Sequence, residues 1–199
     1  MELTGRIIRF LRDQAGLAYL EFAFALPLLL MLFLGGVEVT RYILIVQKTE
    51  KIAATVADLT AQSQTTTSSE LSIIIQAASQ VMQPFSFGSN GYVIISSVTK
   101  TGTNAPVVNW QYSGGGTWTQ TSQVGTTGHT ASLPSGFTMV DKDNIIIAEV
   151  YYNYAPMLSI RNNVMGSSRI YKTAIFKPRL GDLSVLGFVM PLAVKGALL

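Results

Sequence analysis

The chain contains no cysteine and only one histidine, His129, among its 199 residues. Without cysteine, disulfide frameworks, thiol catalysis and cysteine-ligated zinc or iron–sulfur sites are excluded. One histidine cannot form a multi-histidine metal site. His129 stands in a Gly-His-Thr sequence that is typical of a solvated loop rather than of a catalytic base. The sequence therefore predicts no metal site and no cofactor.

Charged residues are also scarce, at 13% of the chain with a net charge of +3. Such a small surplus, spread over the whole chain, argues against a nucleic-acid interface. Residues 101–140 contain no Asp, Glu, Lys or Arg. Since a cytosolic surface normally mixes both charge signs, this stretch predicts an extracytoplasmic module, a face that packs against copies of itself, or simply a polar loop.

Apolar residues are concentrated near the N-terminus. Residues 17–37 read LAYLEFAFALPLLLMLFLGGV, with Glu21 as the one charge. Twenty helical residues span roughly 30 Å, the thickness of a bilayer's hydrocarbon core, whereas the apolar region of a secretory signal has only about 7–15 residues. The run therefore predicts a retained membrane anchor. Three basic residues flank it on each side, and the short leading segment favours an N-terminus on the inside.

Hydrophobic periodicity predicts the elements that follow. The span continues into one helix, over residues 17–62 and roughly 70 Å long, and a second helix over residues 70–82 is capped by Ser69. The apolar stripe of the first helix is expected at Val39, Tyr42, Ile43, Val46, Ala53, Val56, Ala57 and Thr60. Four β-branched or aromatic segments predict strands over residues 92–98, 107–112, 145–154 and 169–176.

This order of elements predicts an α+β fold with an antiparallel sheet, arranged as a strand meander. Residues 113–136, rich in Gly, Thr and Ser, are expected to form a long loop. Trp110 and Trp118 are expected in the core. We expect three parts: a polar leader over residues 1–16, a transmembrane and amphipathic helix over 17–62, and an extracytoplasmic α+β domain over 63–199.

Two residues at the start of the apolar run suggest how the helix is used. Gly16 lies where the polar leader meets the span, and its lack of a side chain leaves the backbone accessible to a protease. A carboxylate at the bilayer centre costs about 2.5–3.5 kcal/mol, although Glu21 would lie only about 6 Å deep. Either Glu21 snorkels to the interface, or cleavage after Gly16 creates an amine at Leu17 that pairs with Glu21 of a neighbouring helix.

The spacing Gly-x-x-x-x-Glu before an apolar helix resembles the prepilin-peptidase site of type IV pilins and pseudopilins. The longer string from Gly16 through Glu21 and Phe22 to Pro27 resembles the TadE/TadG-type pseudopilins of the tight-adherence (Flp) pilus system. Three further features are similar to that family: Gly36-Val37-Glu38 followed by Arg41, the aromatic run 151–156 that ends in proline, and Lys177-Pro178-Arg179.

The resemblance implies a minor pseudopilin that takes part in assembly of a Tad/Flp-type adhesive pilus and is not an enzyme. It implies a pilin-like α+β fold and a processing site made of Gly16, Leu17, Glu21 and Phe22. Glu21 and Pro27 would take part in subunit packing. A proline is compatible with a membrane helix when a partner or a local adjustment satisfies the carbonyl that it frees.

The resemblance also implies partners and a location. The partners would be the prepilin peptidase, other Tad pilus assembly proteins and pseudopilins, and inner-membrane lipid, with no nucleic acid and no small-molecule substrate. The chain would cross the bacterial inner membrane once, with a cytoplasmic N-terminus and a periplasmic C-terminal domain, and would either stay there or associate with the pilus.

An alternative function is a membrane-anchored periplasmic enzyme or binding module without a filament role. It requires a clustered acid–base pair or nucleophile, and sequence spacing does not bring the acids of the domain together; these are Asp141, Asp143, Glu149 and Asp182. Asp141 and Asp143 predict a turn, since two carboxylates are too few ligands for calcium.

Two C-terminal segments have open interpretations. A basic stretch predicts either a solvated strand edge or a contact with acidic lipid or another pilus component; it comprises Arg161, Arg169, Lys172, Lys177 and Arg179. Residues 183–199 are apolar but interrupted by Pro191 and Lys195. They predict core packing or a surface that meets a partner, rather than a second span.

Overall fold

A computed structural model describes residues 15–134, 136–157 and 168–187. Its helices are α1 (Ala15–Ala61) and α2 (Ser68–Ser79), and its strands are β1 (Gly91–Thr99), β2 (Val107–Gly114), β3 (Asn144–Tyr154) and β4 (Ser168–Phe176). The predicted α+β fold class is confirmed. Each predicted strand lies within one or two residues of the observed one at both ends.

The chain divides into two compact units. The first comprises Met1–Tyr42 with Pro156–Met165, and the second comprises Ile43–Ala155 with Gly166–Leu199. The first unit contains the apolar part of α1. The second contains the C-terminal part of α1, α2 and the sheet.

The four strands form one antiparallel sheet in the order β2-β1-β3-β4. Strand β1 pairs with β2 from Val93↔Gly114 to Thr99↔Val107 and with β3 from Gly91↔Tyr152 to Thr99↔Asn144. The predicted meander is therefore wrong, because β3 lies beside β1 and not beside β2. The connection over residues 115–143 is long enough to cross one face of the sheet before β3 begins, and this crossing separates strands that are consecutive in sequence.

One face of the sheet packs against the helices. Alternate residues of β1 and β3 point to this side, as the two-residue period of a strand requires. The core here includes Ile45, Ile52, Val56, Leu71, Ile75, Val93, Ile95, Ala148 and Val150. The predicted apolar face of α2 is confirmed, since Leu71, Ile75 and Ala78 are buried and Ile74 and Val81 pack partly against the core.

The predicted stripe of α1 is correct from Val46 onward, and Val46 itself packs partly against the core. Ala53, Val56, Ala57 and Thr60 are buried, but Val39, Tyr42 and Ile43 are exposed. The buried line passes instead through Ile45, Thr49 and Ile52. Thr49 is tolerated there because its hydroxyl donates to the carbonyl of Ile45 at 2.7 Å. A stripe predicted from apolar residues alone omits a buried threonine whose hydroxyl donates to a carbonyl of the same helix.

Helix α2 begins two residues earlier than predicted, and its cap is Thr67 rather than Ser69. The Thr67 hydroxyl accepts from the backbone N–H of Glu70 at 3.2 Å, and the Glu70 carboxylate accepts from the N–H of Thr67 at 2.9 Å. This reciprocal capping box needs a glutamate three residues after the cap, and only Thr67 has that spacing to Glu70. The α-helix ends at Ser79, and Gln80–Met82 continue as a 3-10 turn.

The connection between β2 and β3 covers the other face of the sheet. Among its described residues there is no helix or strand, as predicted, yet Val124, Ala131 and Met139 are buried against Val98, Val108, Ile145 and Ile147. It is therefore a packed cover and not simply a polar loop. Trp110 lies in the helix-side core as predicted, whereas Trp118 is only partly buried, against the aromatic cluster of Tyr92, Ile94 and Tyr151.

The segment after β4 crosses the helix-side core. The N–H of Arg179 donates to the carbonyl of Ala61 at the end of α1, at 2.9 Å. The carbonyl of Leu183 accepts from the Ser97 hydroxyl at 2.8 Å and from the Trp110 indole at 2.7 Å. Leu183 is fully buried, so the prediction of core packing is confirmed at this residue. Residues 188–199 lie outside the described part.

The capping box leads to a direct comparison of two single substitutions. Thr67→Ala removes the observed cap and should lower the free energy of unfolding by about 1 kcal/mol. Ser69→Ala removes the cap that the sequence predicted and should change it by less than about 0.5 kcal/mol. Urea unfolding of the full chain in detergent, followed by tryptophan fluorescence, measures both. Equal losses would contradict the assignment of the cap to Thr67.

Candidate functional site

The first half of α1 has no cover within the described chain. Residues 16–34 are all exposed, and the most apolar 18-residue window of the helix contains no buried residue. A helix that is apolar on all sides is normally buried in a large core or in a membrane. Helix α1 is therefore a candidate membrane anchor by its length and composition.

The predicted processing residues lie on the first turns of this helix. Gly16 is inside the helix, and no described atom beyond its neighbours and the helix backbone lies within 4 Å of the position that a Cβ would occupy. Leu17 and Phe22 are about three-fifths exposed. Glu21 is exposed and has no hydrogen bond or ion pair with any residue of the described ranges. The structure thus brings no described group against these four residues, and their role in processing stays a prediction.

Pro27 lies inside α1, six residues after Glu21. Proline has no backbone N–H, so the carbonyl of Ala23, four residues earlier, loses its helical donor. Ala23 and Pro27 are both exposed. The regular helix hydrogen bond to the Ala23 carbonyl is therefore missing at an exposed position of α1.

A second acidic residue of the first unit is buried. The side chain of Glu38 forms an ion pair with Arg41 at 3.7 Å. Its two carboxylate oxygens accept from the N–H of Met157 at 3.2 and 3.3 Å. The sequence resemblance includes Glu38 and Arg41 but predicts no contact between them. Their spacing of three residues in a helix, at the end of an apolar run, is the sequence feature that indicates an ion pair.

These observations describe an exposed apolar helix with a glycine and a glutamate near its start and a proline within it, followed by a buried Glu38 that pairs with a partly exposed Arg41. Residues 16–58 match the family model of TadE-like proteins. No curated protein and no solved structure matches the chain. The resemblance seen in the sequence is confirmed over this TadE-like segment, which lies entirely within α1.

Beyond the TadE-like segment, the sheet holds one fully buried carboxylate, Glu149 on β3. It accepts from the N–H of Gln123 at 2.8 Å, from the Tyr171 hydroxyl at 3.0 Å, from the Tyr151 hydroxyl at 3.3 Å and from the Ser122 hydroxyl. A buried carboxylate is costly unless its oxygens are hydrogen-bonded. These four donors stabilise it, and two of them belong to the connection that covers the sheet. Glu149 therefore fixes that connection in place.

Two further acids of the described domain, Asp143 and Asp182, lie near each other. Asp143 and Asp182 line the same cleft of about 450 Å³. The hydrogen bond from Lys177 lowers the pKa of Asp143. Burial acts to raise the pKa of Asp182, but hydrogen bonds from Asn144 and Ser184 lower it overall. Both carboxylates are thus held ionised, whereas a general acid or base works best with a pKa near the operating pH.

The predicted turn at Asp141–Asp143 is confirmed. Lys142 has a φ of 63° there, and Asp143 accepts from the N–H of Val140 at 3.0 Å. His129 is exposed, as predicted for a solvated loop. Within residues 15–134, 136–157 and 168–187, no group of three His, Asp or Glu side chains is placed to hold a metal ion.

The basic stretch is largely paired within the second unit. Strand β4 is an edge strand, as one interpretation predicted. Lys172 meets Glu50 at 3.2 Å, Arg179 meets Asp58 at 2.9 Å, and Lys177 meets Asp143. The guanidinium of Arg169 lies 5.7 Å from the centre of the Trp118 ring. Arg161 lies outside the described residues.

The environment of Glu149 predicts that stability falls at alkaline pH. Burial raises the pKa of Tyr151 and Tyr171 above the ordinary value, and the adjacent Glu149 charge raises both further. The unfolded chain releases these protons near pH 10, while the folded chain retains them. The stabilisation is therefore complete below pH 10 and is lost as pH rises above it, by up to about 1.4 kcal/mol per pH unit for each tyrosine.

Urea unfolding of the full chain in detergent between pH 8 and pH 11 measures the slope of the free energy of unfolding against pH. Tyr171→Phe removes one of the two protons and should make the slope shallower, although it also removes a hydrogen bond and lowers stability at every pH. Tyr42→Phe changes a tyrosine outside the cluster and is the control. An unchanged slope in Tyr171→Phe would contradict the assignment.

Proposed function

We propose that this chain is a minor pseudopilin that takes part in assembly of a tight-adherence (Flp-type) pilus. The match of residues 16–58 to TadE-like proteins is the observation that carries the proposal. The exposed apolar helix supports it, because such a helix needs lipid or other helices around it. No described feature favours the alternative enzyme, since the acids of the cleft are engaged in hydrogen bonds.

The proposed location follows from the same helix. Residues 17–37 cross the inner membrane once, with the preceding residues in the cytoplasm and the α+β domain in the periplasm. In this proposal the chain is organised as a leader over residues 1–16, the helix over 17–62 and the domain over 63–199. Its partners are the prepilin peptidase, other Tad pilus proteins and the surrounding lipid.

In this proposal the prepilin peptidase cleaves after Gly16. The open surroundings of Gly16 support this, because no described side chain blocks access to its backbone. Since Gly16 lies in the first turn of α1, the peptidase has to open that turn. A glycine helps, because it stabilises a helix by about 1 kcal/mol less than alanine does.

Cleavage also gives Glu21 a role. It creates an ammonium group at Leu17, and a positive and a negative group within lipid attract each other strongly because little water screens them. An ammonium of one helix and the Glu21 carboxylate of its neighbour then satisfy each other. The exposure of Glu21 leaves its carboxylate free for such a partner.

Processing is tested by N-terminal sequencing of the protein extracted from membranes. In cells with active prepilin peptidase, we expect the mature chain to begin at Leu17. Gly16→Leu should block cleavage because a bulky side chain at this position obstructs the peptidase, whereas Gly35→Leu, at another open helical glycine, should leave cleavage unchanged. An intact N-terminus beside normally processed pilin from the same cells would contradict the processing step.

The role of Glu21 is tested by counting pili. Glu21→Ala should leave the protein in the membrane but reduce piliation at least about tenfold, because the Leu17 ammonium then lacks its partner in lipid. Leu20→Ala, at the adjacent exposed residue, should have little effect. Normal piliation in Glu21→Ala cells would show that Glu21 has no part in subunit packing.

A further inference from the structure

The chain begins to cover helix α1 within the last turn of the apolar run. Of the described residues 16–37, Gly35 is the one that is not exposed, and Glu38 is buried. Residues three positions apart in a helix share one face. Cover on the face of Gly35 and Glu38 therefore starts inside the apolar run itself.

The chain that follows strand β3 meets α1 on this face. The backbone N–H of Met157, three residues after the end of β3, donates to both carboxylate oxygens of Glu38, at 3.2 and 3.3 Å. Pro156–Met165 also belong to the same compact unit as Met1–Tyr42. The beginning of the connection between β3 and β4 is therefore held against α1 where the apolar run ends.

Helix geometry gives the level of this contact along α1. Glu38 directly follows the apolar run over residues 17–37, which spans about 32 Å as a helix, close to the roughly 30 Å of a bilayer's hydrocarbon core. A helical side chain leans toward the N-terminus and covers the turn before its own Cα. In a bilayer, the Glu38 carboxylate and the N–H of Met157 therefore lie beside the last turn of the run, at the edge of the hydrocarbon.

The charge of Glu38 does not oppose this placement. A buried carboxylate is tolerated when it is paired and hydrogen-bonded, and Glu38 has both the ion pair with Arg41 and the N–H of Met157. The pair carries no net charge. At the same level the chain exposes apolar side chains, since Met157 is 69% exposed and Leu34 and Val37 of the last turn are also exposed.

We propose that Met157 is a second point of contact between this chain and the membrane. Its side chain enters the boundary between headgroups and acyl chains on the C-terminal side of the span, where apolar groups penetrate about 5–10 Å. Glu38 is the positioning residue, because it holds the backbone of Met157 and leaves the side chain free. The partner is the lipid that surrounds the end of the apolar run.

The position of Met157, and not its exposure alone, carries this proposal. Single exposed apolar residues are common on soluble surfaces and need no explanation. Met157 differs because a defined contact holds it beside an apolar helix that is a candidate membrane span. Methionine also suits such a place, since its unbranched side chain adapts to irregular apolar surroundings.

This inference rests on the membrane-anchor part of the proposed function. It is tested with the purified full chain in vesicles of phosphatidylethanolamine and phosphatidylglycerol. The chain has no cysteine, so Met157→Cys provides a single site for a bimane fluorophore. Because Glu38 accepts from the backbone of residue 157, this substitution leaves their contact in place. Quenching is measured with iodide in the water and with lipids that carry a nitroxide at a shallow or a deep position of the acyl chain.

The label at Met157→Cys should be quenched by the shallow nitroxide and protected from iodide. Two exposed positions of α1 give the reference values. Leu29→Cys, about 12 Å before Val37 along the helix, should be quenched best by the deep nitroxide. Lys51→Cys, about 21 Å beyond Val37, should be quenched by iodide alone.

The positioning role of Glu38 is tested in the labelled Met157→Cys chain. Glu38→Ala removes both acceptors of the N–H, so the label should lose most of its quenching by the shallow nitroxide. Glu38→Gln keeps a carbonyl oxygen that accepts from this N–H and should retain most of the quenching. Val39→Ala, at the next and exposed residue, is the control. Equal quenching in Glu38→Ala and in the parent chain would overturn the positioning role.

Two other results would overturn the contact with lipid. Quenching of the Met157→Cys label by iodide alone would place this residue in water, and protection from all the quenchers would place it beneath protein, including a second copy. The reference label separates this inference from the proposed function. Lipid quenching at Leu29→Cys without lipid quenching at Met157→Cys would refute the second contact alone, whereas no lipid quenching at Leu29→Cys would refute the membrane anchor itself.

Discussion

The structure depends on one constraint: half of α1 is apolar and is left uncovered by the described residues. Residues 16–34 are apolar and exposed, whereas residues 45–61 of the same helix carry a buried face in the helix-side core. In hydrocarbon, a helix is one of the few structures that satisfies its own backbone groups. A single helix is therefore both a candidate anchor and a core element, and removing its C-terminal part would expose Val93, Ile95 and Val150 on the sheet.

Two glutamates show opposite solutions to the same electrostatic problem. Glu149 is fully buried and is stabilised by two tyrosine hydroxyls, a serine hydroxyl and a backbone N–H, all within the second unit. Glu21 has no donor among the described residues. The requirement of Glu149 is thus met within the second unit, whereas that of Glu21 is met by no described residue.

The uncharged stretch over residues 101–140 is held on the sheet partly by hydrogen bonds to Glu149. Its backbone and hydroxyl groups cover one face of the sheet, and a single carboxylate receives donors from Ser122 and Gln123. Val124 and Met139 add apolar contacts beneath it. The sequence left open whether the stretch is a loop, an extracytoplasmic surface or a packing face. The structure shows that it packs, at least in part, against its own sheet.

The sequence alone determined the features that depend on neighbouring residues. The strands and the apolar span were predictable because β-branched and apolar runs favour their structures through the residues of the run itself. The fold class and the TadE-like resemblance followed from them. The Gly16–Glu21 spacing was equally visible, although its role in processing rests on a proposal.

Tertiary structure decided what depends on groups far apart in the chain. The pairing of β3 with β1 follows from how the long connection crosses the sheet, and no local pattern encodes that path. The burial of Glu149 depends on donors from Ser122 to Tyr171, and the pairing of Glu38 with the N–H of Met157 joins residues 119 positions apart. A buried charge is stable only when distant donors converge on it, and that convergence exists only in the folded chain.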